Sequence, residues 1–345
     1  MAAHDPFFPG PYHRLTRPAG GAWWRLVVGV LAAAVGFLVV TLVALLLVYA
    51  VAHLIGFTHF DITSNKVDAG LLLGNNLGLA ALIPVALGLT VLVYQTRPHW
   101  VSSLAPGLRR RWLLACFGIA GVVWALLFVL ATVSASLDRH HPVDSGVIGL
   151  IVVVLLTTPF QAAGEEYLFR GFLLQSLGAT RLPAIVCCVL SAAAFATAHL
   201  QFAPPLFADR FLLGLVFAWL ALRTGGLEAG IAIHAVNNIT AFIPAALLDQ
   251  TTQTVNPTGV TWVPVGVHVV LLSIIVAWLP RVFDKRRGRG LGAPQSRRRA
   301  SPSTPTQWGP LMPPPPGPDA ANHPASPQHP PDPGAQPGSQ PGPPT

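Results

Sequence analysis

Between Arg25 and Asp61 no side chain carries a formal charge, and the block from about Trp24 to Ile55 is apolar almost throughout. About 20 such residues match the ~30 Å hydrocarbon core of a bilayer, whereas a cleavable signal core needs only about 7–15. The block therefore predicts a retained membrane anchor. Seven more apolar blocks follow, at about Gly70–Tyr94, Trp112–Ala135, Ser145–Phe160, Pro183–Leu200, Phe211–Leu222, Leu227–Leu248 and Trp262–Leu279. The sixth is the shortest, and Pro280 closes the eighth. With 52% hydrophobic and only 10% charged residues grouped in this way, the fold class is all-α, a polytopic transmembrane helix bundle of about eight spans.

The organisation that follows is a cytoplasmic lead over residues 1–22, a helical bundle over 23–282, and a tail over 283–345. The tail opens with Arg286-Arg287-Gly288-Arg289 and Arg297-Arg298-Arg299, then becomes rich in Pro, Gly, Ser and Gln. It has nothing with which to bury a core, so it is expected to be a disordered, solvated segment, its arginines lying against anionic lipid. Eight spans with a cytoplasmic N-terminus place 18 of the 21 Lys and Arg on the inside, leaving Lys66, Arg139 and Arg210 outside. That bias predicts a multi-pass cell-membrane protein with both termini cytoplasmic. The formal charge of +8 is thereby assigned to topology rather than to nucleic acid. Cys116, Cys187 and Cys188 all fall inside apolar blocks, with no Cys-x-x-Cys pair, and read as small buried residues.

Against this background the stretch Gly164-Glu165-Glu166-Tyr167-Leu168-Phe169-Arg170 stands out. It ends an uncharged run, Val147 to Ala163, and holds two of the chain's three glutamates, the third being Glu228. Three unpaired charges at bilayer mid-depth would cost roughly 8–10 kcal/mol, so a compensating arrangement is expected. Glu166 and Arg170 are four apart with the acid first, the favourable order for an ion pair on a helix. Glu165 then points about 100° away and is left for another partner. The next block carries Phe195 and His199, four apart; the seventh carries His234 and Asn238, four apart, with Asn237 beside them. In lipid such groups turn inward and meet one another.

Taken singly, each has an ordinary structural reading. Glu166–Arg170 neutralises a helix end, His199 is a satisfied core histidine, and Asn238 is interhelical glue worth about 0.6 kcal/mol. His53, His268, Asn75 and Asn76 are further polar residues in apolar blocks without an evident partner motif.

Taken jointly, the three patterns resemble the CAAX-protease and bacteriocin-processing (CPBP) family of intramembrane proteases. Glu-Glu-x-x-x-Arg is Glu165 to Arg170, Phe-x-x-x-His is Phe195 to His199, and His-x-x-x-Asn is His234 to Asn238. The approach to the last motif, Gly214-Leu215-Val216-Phe217 through Arg223-Thr224-Gly225-Gly226, is also similar. The resemblance covers Val147–Ala246 and sets a catalytic core at about 145–250. Glu228 departs from the family pattern and, at a helix start, suits the helix dipole.

The resemblance implies an endopeptidase acting on a membrane-associated or prenylated-type peptide. In it Glu165 and His199 activate water, and His234 and Asn238 stabilise the oxyanion. Glu166, Arg170 and Phe195 support them. Its partners are membrane lipid and a peptide or protein substrate, with no nucleic acid. Cofactor use stays open: Glu165, His199 and His234 can form a two-His, one-Glu Zn2+ site, or act as acid/base groups without metal. The chain lacks His-Glu-x-x-His, which favours the metal-free route. Rival readings are a non-catalytic scaffold or immunity-type protein, and a transporter with a buried Glu/His relay. A rhomboid-like serine protease is disfavoured because the one Ser-Gly pair, Ser145-Gly146, sits at a span boundary.

Overall fold

A computed structural model describes residues 11–16, 23–56, 67–105, 107–138, 143–251 and 259–288. The Pro-rich tail anticipated above lies outside the described residues, as do Lys66 and Arg139. The described chain is helical and contains no strand beyond one isolated bridge, Ser103 to Gly226. In order the helices are α1 (Trp23–Leu54), α2 (Ala69–Ala80), α3 (Leu82–Tyr94), α4 (His99–Ser102) and α5 (Arg110–Leu137). They continue with α6 (Ser145–Glu166), a π-helical turn (Tyr167–Leu173), α7 (Leu174–Ala179), α8 (Ala184–Ala198), α9 (Pro204–Thr224), α10 (Glu228–Leu247) and α11 (Val263–Gly288). The last runs past the expected end of the bundle at 282.

All eight apolar blocks are helical, but they are not alike. Seven helical stretches among the described residues are long and apolar enough to cross a membrane, with α2 and α3 forming one of them. The fifth block forms α8, only 15 residues, or about 22 Å at 1.5 Å per residue, short of the ~30 Å core. The sixth block, shortest in sequence, is instead a 21-residue helix, because α9 begins upstream at Pro204 and runs straight through Asp209 and Arg210. Those charges do not break it because Arg210 Nη1 donates to Asp209 Oδ2 at 2.6 Å, with Asp209 also held by His268 on α11.

Local signals set the helix starts. Asp68 accepts from the Leu71 backbone N–H at 2.7 Å, and Asp144 accepts from that of Val147 at 2.9 Å, each satisfying an orphan donor. α6, the π turn and α7 run on as one 35-residue rod. The outer faces stay apolar and exposed, Leu31, Leu38 and Leu126 among them, as a lipid-facing surface requires. Inside, α10 packs on α5 and α6, α2 on α1 and α6, and α8 on α9. The α2–α6 contact is unusually close. A Cβ at Gly164 would stand 1.9 Å from the Leu79 carbonyl oxygen, so only glycine lets the two backbones meet directly beside Glu165.

The described part of the N-terminal lead is also part of the bundle. Tyr12, His13 and Thr16 are buried, and the Tyr12 hydroxyl donates to the Val101 carbonyl at 2.5 Å. Glu228, the glutamate set apart in sequence, is fully buried and does more than suit a dipole. It accepts from Arg109 Nε and Nη2 at 2.8 and 2.7 Å and from the Arg109 backbone N–H at 2.8 Å. Arg109 Nη1 reaches the Thr224 carbonyl at 2.9 Å, so one ion pair ties the start of α5 to the α9–α10 corner. Breaking a buried pair of this kind costs about 3–5 kcal/mol. Glu228→Ala should lower the melting temperature of purified protein sharply, and adding Arg109→Ala should cost much less than it does alone. Additive losses in that cycle would show the pair to be uncoupled.

Candidate active site

The rod formed by α6 and the π turn brings both glutamates and Arg170 into the bundle interior, where Glu166 and Arg170 are fully buried. Arg170 Nη1 donates to Glu166 Oε1 at 2.8 Å. Its guanidinium lies 4.1 Å from the Phe195 ring centroid and 5.3 Å from that of Phe217, two aromatic faces that suit a desolvated cation. A Cβ at Gly230 would come within 2.6 Å of Glu166 Oε2, so the missing side chain is what lets α10 lie against this carboxylate. π-helical turns, one residue wider than α turns, recur at functional sites; this one follows the Glu-Glu pair immediately.

The three sequence motifs meet here. His234 Nδ1 lies 3.2 Å from Glu166 Oε1, and its Nε2 lies 3.8 Å from Glu165 Oε2. The His234 ring stacks on Phe217 and meets Phe195 edge-on. Just past the end of α8, His199 Nδ1 lies 2.8 Å from the Phe195 carbonyl oxygen; a carbonyl only accepts, so Nδ1 carries the hydrogen and Nε2 is the unprotonated nitrogen of the neutral ring. Phe195 thus supports both imidazoles and the guanidinium. Glu165, His199, His234 and Asn238 all line one cavity of about 700 Å³, whose walls include Leu79, Trp124 and Phe217.

Glu165 is held asymmetrically. Gln161, one turn earlier on α6, donates from Nε2 to Glu165 Oε1 at 2.5 Å, while Glu165 Oε2 is buried and accepts no hydrogen bond from the described residues. Gln161 Oε1 in turn accepts from Asn238 Nδ2 at 3.1 Å. Sequence reasoning passed over Gln161; the available signal was a polar side chain four residues before Glu165 in an otherwise apolar run. It also passed over Asp209, and it left His268 without a partner. His268 Nδ1 lies 2.5 Å from Asp209 Oδ1, and its Nε2 lies 2.7 Å from Asn237 Oδ1, on the same cavity. Asn76 likewise has partners, donating to Thr157 Oγ1 at 2.8 Å and Thr158 Oγ1 at 3.5 Å.

No group of three or more His, Cys, Asp or Glu among the described residues is arranged to hold a metal ion. His234 has Nδ1 3.2 Å from Glu166 Oε1, which leaves Nε2, 3.8 Å from Glu165 Oε2, as its open nitrogen. As they stand, Glu165, His199 and His234 are not grouped to hold a metal ion, and the chemistry below is derived from the side chains themselves.

Comparison with known proteins agrees with the motifs. Residues 146–240 match the family described as type II CAAX prenyl endopeptidase Rce1-like. An uncharacterized protein of Bacillus subtilis (strain 168), YyaK, is 25% identical over 152 residues, which is 40% of this chain and 50% of that protein. The chain thus spans about half the length of the curated relative it matches. No solved structure matches it. Over residues 146–240, where all three motifs lie, the chain is similar to the Rce1-like CAAX endopeptidases, and its resemblance to the CPBP family of intramembrane proteases is borne out.

Proposed function

We propose that this multi-pass membrane protein is an intramembrane endopeptidase hydrolysing a peptide bond of a membrane-associated or prenylated-type peptide. The observation that carries the reading is Glu165. One of its oxygens is fixed by Gln161, while the other has no donor among the described residues and stands 3.8 Å from an imidazole nitrogen. A buried carboxylate oxygen without a donor, on the wall of a cavity, is one that a water satisfies.

In this reading Glu165 takes a proton from the water, and the hydroxide so formed attacks the scissile carbonyl carbon. His199 Nε2, the unprotonated nitrogen, holds the water's other side. As the carbonyl oxygen turns anionic it accepts hydrogen bonds from His234 Nε2–H and from the second amide hydrogen of Asn238, whose first is used by Gln161. The proton held by Glu165 then passes to the leaving amine nitrogen, and the carboxylate is regenerated. Glu166 is given no part in that step: it is the ion-pair partner of Arg170, and its Oε1 also faces His234. It orients His234 instead. Preorganised donors of this kind act strongly in a site from which bulk water is excluded.

The test is purified protein in lipid with a quenched peptide library. Glu165→Ala is expected to abolish cleavage. Asn238→Ala should lower turnover about 10²–10³-fold with its melting temperature nearly unchanged. Cleavage that survives Glu165→Ala rejects the hydrolytic reading, and inhibition by chelator that zinc reverses replaces the carboxylate route by a metal-bound one.

Arg170→Met removes the cation beneath Glu166 and leaves a buried charge unpaired, a loss of about 3–5 kcal/mol. Both melting temperature and kcat should fall, and Arg170→Lys should restore only part of either, because an ammonium cannot spread over two aromatic faces. Full rescue by lysine would argue for charge alone.

The same reading keeps both termini cytoplasmic, on the strength of the Lys/Arg asymmetry, and counts α8 as a crossing. Reporters fused at either end of the chain should both be accessible only from the cytoplasm. Reporters found on opposite faces would make α8 re-entrant.

A further inference from the structure

Beyond the three motifs, five side chains from four helices join into one continuous hydrogen-bonded line that ends on Glu165. It begins at Asp209 on α9, whose Oδ2 is held by Arg210 and whose Oδ1 faces His268 Nδ1 on α11. His268 Nε2 meets Asn237 Oδ1 on α10; Asn237 Nδ2 donates to Asn238 Oδ1 at 3.4 Å; Asn238 Nδ2 donates to Gln161 Oε1; Gln161 Nε2 donates to Glu165 Oε1. From His268 to Glu165 every link runs the same way, donor to acceptor. Both nitrogens of His268 face oxygens, so the ring that satisfies both carries a proton on each, paired with the Asp209 carboxylate. From that ring three carboxamides pass donor to acceptor until the line reaches a second carboxylate. Aligned bonds polarise one another, and each carboxamide's direction is fixed by its neighbour, since reversing one would set two acceptors or two donors face to face.

We infer that His268, oriented by Asp209, is a positioning residue for the site: through Asn237 it fixes which way the Asn238 amide points, and through Asn238 and Gln161 which oxygen of Glu165 is tied down. The inference rests on the protease reading for its catalytic consequence, but not for the hydrogen-bonded line itself. Neither His268 nor Asp209 belongs to the three motifs, and His268 lies outside the segment that matches the family. A protein that used this pair only to neutralise Asp209 would need the Nδ1 bond; one that used it to orient Asn237 needs the Nε2 bond.

Two substitutions separate these. In His268→Asn the amide nitrogen stands about where Nδ1 was, keeping the bond to Asp209 and losing Asn237. In His268→Gln the longer side chain carries its nitrogen to the Nε2 position, keeping Asn237 and losing Asp209, which retains Arg210. The experiment measures kcat and KM of the full chain in lipid on a cleavable peptide. His268→Asn is expected to lower kcat about tenfold, the lower end of what lost outer-shell partners cost, with KM within about twofold; His268→Gln should stay within about threefold of the parent. Equal losses, or asparagine the milder, overturn the proposal. A second measurement does not need activity: melting shifts for His268→Phe, Gln161→Leu and the double variant. These residues are three hydrogen bonds apart, and non-additive shifts are expected because each breaks the same line. Additive shifts overturn it too. Should the parent protein cleave no peptide, the protease reading fails on its own, and the melting cycle still decides the line.

Discussion

A guanidinium and a carboxylate, both fully buried, lie at the centre of this bundle, and the packing around them is shaped by the need to keep them together. Desolvating two ions is expensive, and their attraction offsets that only when geometry is good and the remaining donors are cared for. Here the offset comes from several helices. The wide turn at Tyr167–Leu173 carries Arg170, Phe195 of α8 and Phe217 of α9 present ring faces to it, and Gly230 of α10 yields space to Glu166. Moving any one of these helices would expose the pair to a poorer environment. The ion pair therefore acts as a registration device for the same helices that deliver His199, His234 and Asn238.

The two adjacent glutamates illustrate how one step along a helix separates roles. Glu166 faces Arg170 and is committed. Glu165, turned away, meets no cation of its own; its near neighbours are an amide, an imidazole and a cavity. Adjacent placement also means that whatever fixes Glu166 fixes the backbone beneath Glu165. Gly164 completes this from the other side, since the direct backbone contact with Leu79 holds α6 against α2 at the next residue.

Much of this was legible in the sequence because apolar length and i, i+4 spacing are local properties. The eight helices, the Glu166–Arg170 pair and the convergence of three polar motifs all follow from residues at most a turn apart, combined with the cost of facing lipid. What escaped was non-local. Asp209 and His268 are 59 positions apart on different helices; the first drew no notice and the second had no evident partner until the fold joined them. Asp209 and Arg210 also shortened the apparent sixth block: a hydropathy reading stops at charges, while the chain pairs them and continues the helix. Glu228 does stand in the first turn of its helix, but its partner Arg109 is 119 positions away, beyond what a local pattern can show. Arg170, counted by side of the membrane, is instead fully buried and reports nothing about topology.

Two connected sets of polar groups inside this bundle approach one another at Glu165. One is ionic and short-ranged, Arg170 to Glu166 to His234. The other is mostly neutral and long, from Asp209 through His268 and three carboxamides to Glu165. A single ionic cluster spanning the same distance would add buried charges, each costing several kcal/mol to desolvate. Carboxamides carry orientation without net charge, so they can link distant helices in an apolar interior at the cost of hydrogen bonds alone. Glu165 sits where the second set ends and one short gap from where the first does. That position leaves one oxygen fixed and one uncommitted, which is the arrangement a carboxylate needs if it is to act on a third party rather than on its own protein.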